Sequence, residues 1–521
     1  MDTLKELTYI VTKNKLKAIE LLDTNAKNKS RTLRFYEAIS EGQFTTDEEA
    51  AAFFFPDTDD SAQYRKLKSR LRKRLINSLF FIDVKQPAYN DRQRAYYECH
   101  KEWAAAKILL GKNAWSSCVD ISERILKYAV KYEFTEMTLD ILRILWLNYG
   151  ARVGNVKKFE EYKAQHEIYE QVFIAENKAE LLYTELIVHY VNSKSTKENM
   201  QEIAVDFFER LKPSLDQFDS YRLHLYGGMI ELMIHTIIND YKSTLVTCER
   251  IIHFFESKPY SANTPLQAAY YQKLVCHSQL GQFEEGKLAA KKCLDFIEEG
   301  SVNWFKYYEL YFMLTTHTEQ YKAAYQVYQK VTSHKRFSFL HDNVKEIWVI
   351  FEAYLHYLYD LDVLKLEDSE SHFSKFKLGR FVNDTPIFSK DKRGMNIAIL
   401  IIQILVLIAQ KKYNEAIDRM EAIEKYCNRY LQKPHTIRSY YFIKMVLTIP
   451  AASFHKKAVV RRAEPFLKKL TQLPIEVANQ THKIEILPYE LLWQLALNTL
   501  EEKTYMRNRK RKSKTKEEII E

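Results

Sequence analysis

The chain has 521 residues, of which 46% are hydrophobic, and it holds only 11 glycines and 11 prolines. Both are far below the usual ~7% and ~5%, which excludes sheet-rich folds and predicts an all-α protein. The 35 tyrosines and 29 phenylalanines exclude a disordered chain and predict an aromatic core. The net charge of +10 is concentrated in two clusters, 65–74 and 507–516, so the rest of the chain is not a basic surface.

Three features bear on the cellular compartment. The six cysteines are scattered without a CxxC pair, which is typical of reduced thiols in a cytoplasmic protein. The charged, amphipathic start MDTLKELTYIVTKNKLK does not resemble a secretory signal. The apolar stretch 397–409 is shorter than the ~20 residues that a membrane span needs, and it contains Gln403. We therefore predict a buried helix there, a cytoplasmic location and no membrane partner.

Residues 1–85 are predicted to form a separate helical module. A helix is expected over 30–40, and Thr46 with Glu49 forms a capping box that begins the next one. A long basic helix is predicted over 61–82. One stripe of this helix is apolar and is expected to pack against the module. The stripe consists of Leu67, Leu71, Leu75, Leu79 and Ile82.

The remaining surface of the basic helix is cationic. The order of helix, turn and helix followed by a basic helix resembles the helix-turn-helix modules of bacterial regulators. That resemblance implies contact with nucleic acid. A solvent-exposed face, or a surface that packs against an acidic neighbour, would explain the same charges. The candidate nucleic-acid residues are Arg65, Lys66, Arg70, Arg72 and Lys73.

From about residue 92 a helical repeat is predicted. A large residue opens the second helix of each unit, and smaller residues follow three, seven and ten positions later, facing the neighbouring helix. The anchors are 38 to 44 residues apart up to Tyr321, and Tyr413 follows after about two more units. They are Trp115, Phe159, Met200, Tyr241, Phe283, Tyr321 and Tyr413.

The repeats are predicted to occupy 92–360 and 395–500. An irregular insertion over 361–394 is expected to separate them, and a basic, disordered tail over 501–521 is expected to follow.

The segments QYKAA, KYNEA and GQFEEG resemble the second half of a tetratricopeptide repeat. The spacing is nearer 41 residues than the family's ~34, and the family's Trp and Leu-Gly pair are mostly missing. The resemblance implies an α-solenoid whose first helices line an inner groove. Either this groove binds a hydrophobic helix or peptide, or those helices are buried by a tighter coil. The implied groove residues are Tyr226, Met229, Tyr271, Gln279, Lys306, Glu309 and His317.

No motif in the sequence supports a catalytic, metal or cofactor site. GQFEEGK at 281–287 is similar to a phosphate-binding loop, but Leu288 replaces the required Ser or Thr. HExxH, GxSxG and GxGxxG patterns do not occur. We therefore predict a non-enzymatic adaptor that binds a protein partner, with no cofactor. The alternative is a nucleic-acid-binding regulator in which the repeats sense or oligomerise. The oligomeric state is left open.

Overall fold

The structure is a computed structural model, which describes residues 30–41, 43–44, 46–56, 61–85, 89–192, 197–366, 395–430, 437–473 and 485–502. Over these ranges the chain forms twenty α-helices and no β-strand. Most of the extensive helix–helix contacts are between helices that are consecutive in the chain. The predicted all-α, solenoid-like fold is confirmed.

The chain divides into two compact units. The first comprises Met1–Asp240 and Arg250–Pro265, and the second comprises Tyr241–Glu249 and Leu266–Glu521. The helices of the first unit are α1 Arg31–Ser40, α2 Asp47–Phe54, α3 Ser61–Leu79, α4 Asp91–Gly111, α5 Trp115–Lys131, α6 Thr135–Leu147, α7 Val156–Asn192, α8 Lys197–Gln217 and α9 Tyr221–Ile237. Helix α10, Tyr241–Glu256, has residues in both units.

The second unit contains the remaining ten helices. They are α11 Asn263–Gln279, α12 Phe283–Leu294, α13 Val302–His317, α14 Tyr321–Thr332, α15 Asp342–Asp360, α16 Met395–Ala409, α17 Tyr413–Tyr430, α18 Ile437–Ala451, α19 Lys456–Thr471 and α20 Tyr489–Thr499. From α12 onward consecutive helices are neighbours, and α20 also packs against α16 and α18. Helix α20 therefore contacts two helices of this unit, α16 and α18, that are not next to it in the chain.

One type of tight turn recurs between consecutive helices. In each case a residue with positive φ lies two positions before the next helix begins, and the intervening residue donates its N–H to the carbonyl five residues earlier. This is the Schellman arrangement, which satisfies the carbonyls left open at a helix end. It occurs with Asn113, Glu133, Asn239, Gly281, Glu319 and Lys411 at the positive φ.

The predicted repeat frame is confirmed at five of its seven anchors. Trp115, Tyr241, Phe283, Tyr321 and Tyr413 are each the first residue of a helix. The positions three, seven and ten residues later are buried in four of these helices, and in α14 Tyr328 is half-buried. The regular spacing of these five anchors in the sequence therefore reflects equivalent buried positions in the helices that they begin.

The frame is wrong at the other two anchors. Phe159 lies inside α7, a helix of 37 residues, rather than at a helix start. In α8 the frame places Arg210 against a neighbour, but Arg210 is exposed and the buried positions are Met200, Ala204, Phe207 and Leu211. The frame assumes that each unit has a turn just before its anchor. Phe159 and Met200 lie inside helices, so the buried positions cannot be found there by counting from the anchor.

The apolar stretch 397–409 lies within α16, where nearly every side chain is buried. The predicted buried helix is therefore confirmed. Within the described ranges, no helix has the length and apolarity needed to cross a membrane.

In the N-terminal module, α1 to α3, the predicted helix caps are present, but the apolar stripe of the basic helix is only partly buried. Ser30 caps α1, and Thr46 and Glu49 form the expected capping box of α2. The basic helix ends at Leu79 instead of 82, and Leu75, Leu79 and Ile82 are exposed. Because α3 has 19 residues while α1 has 10 and α2 has 8, its partners are too short to cover the whole apolar stripe.

Several predictions fall on residues outside the described ranges. These are the structure of residues 1–29, most of the insertion, 367–394, and the tail from 503 onward.

Candidate functional site

Three of the implied groove residues, Tyr271, Lys306 and Glu309, lie near one another in the second unit. Lys306 Nζ lies 2.7 Å from Glu309 Oε2, and the Glu309 side chain is only 15% exposed. Burial and the nearby Glu309 charge raise the pKa of Tyr271 to about 12. Burial likewise raises the pKa of Glu309. Lys306 is the exposed member of this trio, and the other two are largely enclosed.

His317 and Gln279 are also turned toward the protein interior. His317 Nε2 lies 2.5 Å from the Glu485 carbonyl oxygen, to which a neutral imidazole donates its N–H. Burial lowers the pKa of His317 to about 4, and the adjacent Arg438 acts in the same direction. Both amide atoms of Gln279 are buried and have no hydrogen-bond partner among the described residues. The His317 Nε2 and the Gln279 amide are therefore not open to a partner.

Tyr226 and Met229 lie on α9 in the first unit, whereas the other five implied groove residues belong to the second. The Tyr226 hydroxyl donates to Glu180 Oε1 at 3.0 Å, and its ring packs on Tyr183 with centroids 5.6 Å apart. Arg222 pairs with the same Glu180 carboxylate. Met229 is half-buried. Tyr226 is therefore part of the packing between α7 and α9.

Reactive cysteine chemistry has no support in the structure. All six cysteines are buried and free. Burial raises the pKa of Cys99 and Cys276 to about 12 and that of Cys427 to about 11, so these thiols are protonated at neutral pH. Over the part of the chain that the structure describes, no cluster of three His, Cys, Asp or Glu side chains could hold a metal ion.

The N-terminal module has a small core fixed by one polar contact. Phe35, Ala50, Tyr64, Leu67 and Leu71 form this core. The rings of Phe35 and Tyr64 meet edge to face, with centroids 5.8 Å apart. Because Tyr64, Leu67 and Leu71 belong to this core, it holds α3 up to about its middle against α1 and α2.

Asp47, the first residue of α2, ties that helix to α3. Its carboxylate accepts a hydrogen bond from the Tyr64 hydroxyl at 2.7 Å and from Lys68 Nζ at 2.7 Å. The Lys68 hydrogen bond, followed by that of Tyr64, lowers the pKa of Asp47. The two contacts join the start of α2 to α3.

An open groove of about 780 Å³ follows from this arrangement. Its lining comes from α1, the α1–α2 connection, the start of α2, and α3 from Tyr64 to Leu79. Leu75, Ile76 and Leu79 line one wall and are 37%, 50% and 61% exposed. Ile39 and Phe44 also line the groove, and Ile39 is exposed. The groove is therefore an apolar surface without a cover among the described residues.

The apolar surface continues past the end of α3. Phe80, Phe81 and Ile82 are all exposed, and the Lys101 ammonium lies 5.6 Å from the Phe81 ring centroid. Contiguous exposed apolar side chains of this kind are typical of surfaces that bind another molecule.

The five predicted nucleic-acid residues are all exposed on α3, on two sides of the helix. Arg65 and Arg72 share a stripe with Lys68, Ile76 and Leu79, since these positions recur every three or four residues. Arg72 lines the groove itself. Lys66, Arg70 and Lys73 recur with the same spacing on a second stripe. The positive surface is thus divided between the groove side and the opposite side of α3.

The groove was not predicted from the sequence, although a signal for it was present. At ~1.5 Å per residue, α3 extends about 28 Å, whereas α1 and α2 extend about 15 and 12 Å. The apolar stripe on α3 runs its full length, so it exceeds what the two shorter helices can cover. Comparing these lengths would have identified Leu75 and Leu79 as exposed.

Comparisons with known proteins identify no family for this chain. No protein-family model, curated protein or solved structure matches it.

Proposed function

We propose that this protein is a non-enzymatic scaffold that binds a protein partner through the groove of its N-terminal module. The observation that carries the proposal is the exposed apolar wall of Leu75, Ile76 and Leu79 beside a folded core. Burying such a wall against a partner removes apolar surface from water, which is the main favourable term in protein association. On this view the consecutive helix pairs are divergent tetratricopeptide-like repeats that form the scaffold carrying the module.

The proposed interface lies on the N-terminal module and not in the repeat groove that the family resemblance implies. Tyr271, Glu309 and His317 already have partners within the second unit or are largely enclosed. The wall of α3, in contrast, has apolar side chains that the described residues leave exposed. We therefore place the main protein interface on the module and not on the inner faces of α11 and α13.

The experiment is a pull-down of the tagged full-length chain from its native cells, with and without nuclease. Leu79→Asp is compared with Leu288→Asp, because both leucines are similarly exposed, at 61% and 67%, and lie on different surfaces. We expect a protein partner that resists nuclease and is lost with Leu79→Asp but kept with Leu288→Asp. Equal retention by both variants would remove the groove from the interface.

The alternative is a nucleic-acid-binding regulator, and the exposed cations of α3 favour it. Helix α3 carries seven Lys and Arg residues and no acidic residue, so it could neutralise several phosphates. Base-reading side chains are few, with Gln63 and Asn77 as the only Asn or Gln residues on the helix. Nonspecific contact with the phosphate backbone is thus the form of binding that this helix suits.

Salt-dependent binding to a labelled DNA duplex tests the alternative. Under this hypothesis, reversal of Arg65, Arg70 and Lys73 to Glu abolishes binding, and the dependence of affinity on salt becomes shallower. Absence of binding by the unmodified protein at low salt would exclude it.

A further inference from the structure

We infer that the groove of the N-terminal module binds an amphipathic helix that is acidic at one end and apolar along the rest, an inference that rests on the function proposed above. The apolar part follows from the stripe on α3. Ile76 and Leu79 repeat at helical spacing, with Leu75 beside them, and Ile39 of α1 lines the same groove. An apolar channel between helices accepts the apolar face of a further helix through anchors spaced every three or four residues.

The acidic part follows from the charges along the same stripe. Continuing from Ile76 toward the start of α3, the stripe passes Arg72, Lys68 and Arg65. Lys68 is paired with Asp47, but no carboxylate pairs with Arg72 within the described residues. Of these cations, Lys68 and Arg72 line the groove, and so does the Asp47 carboxylate that pairs with Lys68. The groove therefore has an apolar end and a cationic end at which Arg72 supplies the net charge, and a carboxylate on the partner would lie next to Arg72.

Charge also argues against other occupants. A second copy that docked through its own α3 would bring the same seven cations and no acid, and the two helices would repel each other. Residues 1–29 of this chain carry six lysines against four acidic residues, so they do not complement the cationic end. A nucleic acid would satisfy the cations but leave Leu75, Ile76 and Leu79 exposed to water.

The inference is tested with a synthetic probe and the full-length protein. The probe is a fluorescein-labelled helical peptide of about 18 residues, long enough to follow the ~28 Å of α3. Leucines recur every three or four residues along it, and glutamates occupy the first two turns. One control peptide has lysine in place of each glutamate, and another has serine in place of each leucine. Binding is followed by fluorescence anisotropy.

The key comparison is between Arg72→Glu and Arg70→Glu. Both arginines are exposed on α3 and both changes alter the net charge equally, but Arg72 lines the groove and Arg70 lies on the other stripe. We expect Arg72→Glu to weaken binding of the acidic peptide ~10-fold and Arg70→Glu to change it less than ~2-fold. Circular dichroism confirms that each variant is folded.

Different results would contradict the acidic helix as the occupant and the proposed scaffold function. Equal weakening by both reversals, or equal binding of the lysine peptide, would overturn the acidic helix, as would a duplex that competes for the groove. Peptide binding only after deletion of residues 1–29 would identify that segment as the occupant. If the pull-down partner depends on Leu79 but the acidic peptide does not bind, the scaffold function stands and the partner class is wrong. If the partner does not depend on Leu79, the proposed function itself fails.

Discussion

Replacing Arg438 tests a buried ion pair on which the second unit depends. Arg438 on α18 makes a two-fold contact with Glu485, from Nη2 to Oε1 at 2.8 Å and from Nε to Oε2 at 3.0 Å. The two side chains are 11% and 8% exposed. The same guanidinium also donates to Glu490 and to the carbonyl oxygens of Leu470 and Leu473. One side chain thus joins α18 to the end of α19 and to α20.

The expected cost follows from what Arg438→Met leaves behind. Glu485 would remain buried without its cation, and two carbonyl groups would lose their donors. Removing one partner of a buried pair costs about 3–5 kcal/mol, because the remaining charge is uncompensated. Burial already raises the pKa of Glu485, and Arg438 is the main group that opposes the rise. The double variant Arg438→Met, Glu485→Gln removes the buried charge, so we expect it to recover at least half of the lost free energy of unfolding.

Urea unfolding followed by circular dichroism measures the effect, and hydrogen exchange of α18 and α20 shows where it lies. Lys457→Met is the control, because Lys457 pairs with Glu502 on an exposed surface, and it should leave the unfolding midpoint unchanged. A single Arg438→Met variant as stable as the original protein would refute the reasoning. So would a double variant that is no more stable than the single one.

Two further predictions concern His317 and the interhelical turns. The pKa of His317 lies at about 4 in the folded protein against 6.5 as its ordinary value, so the unfolded chain gains a proton first as the pH falls. The free energy of unfolding should therefore decrease by about 2–3 kcal/mol between pH 6.5 and 4, and His317→Gln should remove this slope in pH-dependent urea titrations. At the turns, Gly281 and Glu319 both have positive φ, at 66° and 59°. Gly281→Ala should lower the free energy of unfolding by about 1 kcal/mol and Glu319→Gly should raise it by about 0.5–1 kcal/mol, and a change of the opposite sign in thermal or urea unfolding would show that the turn conformation is not the controlling factor.

The local features of the fold could be predicted because they depend on nearby residues. The turn before Phe283 has a positive φ at Gly281, and a large residue starts the following helix at five of the seven anchors. The capping box of Thr46 and Glu49 is similarly contained within four residues. Patterns that close within one helical turn are therefore readable directly from the sequence.

The candidate interface depended on packing between distant segments and was not predicted. Leu75 and Leu79 belong to the same apolar stripe as Leu67 and Leu71, and only the short lengths of α1 and α2 leave them exposed. Conversely, the family resemblance implies an open groove around His317, but His317 Nε2 contacts a carbonyl oxygen 168 residues further along the chain. Periodicity identifies which face is apolar, but it does not tell which apolar residues find a partner.

Photo-crosslinking in native cells tests the central claim most directly. A benzoylphenylalanine placed at Ile76, in the groove, is compared with one at Ile168, an exposed isoleucine on α7. We expect a discrete protein adduct from position 76 that is absent from position 168, with the linked peptide of the partner rich in acidic and apolar residues. No adduct at position 76, the same adducts at both positions, or an adduct that nuclease removes would contradict the groove as the site of protein binding.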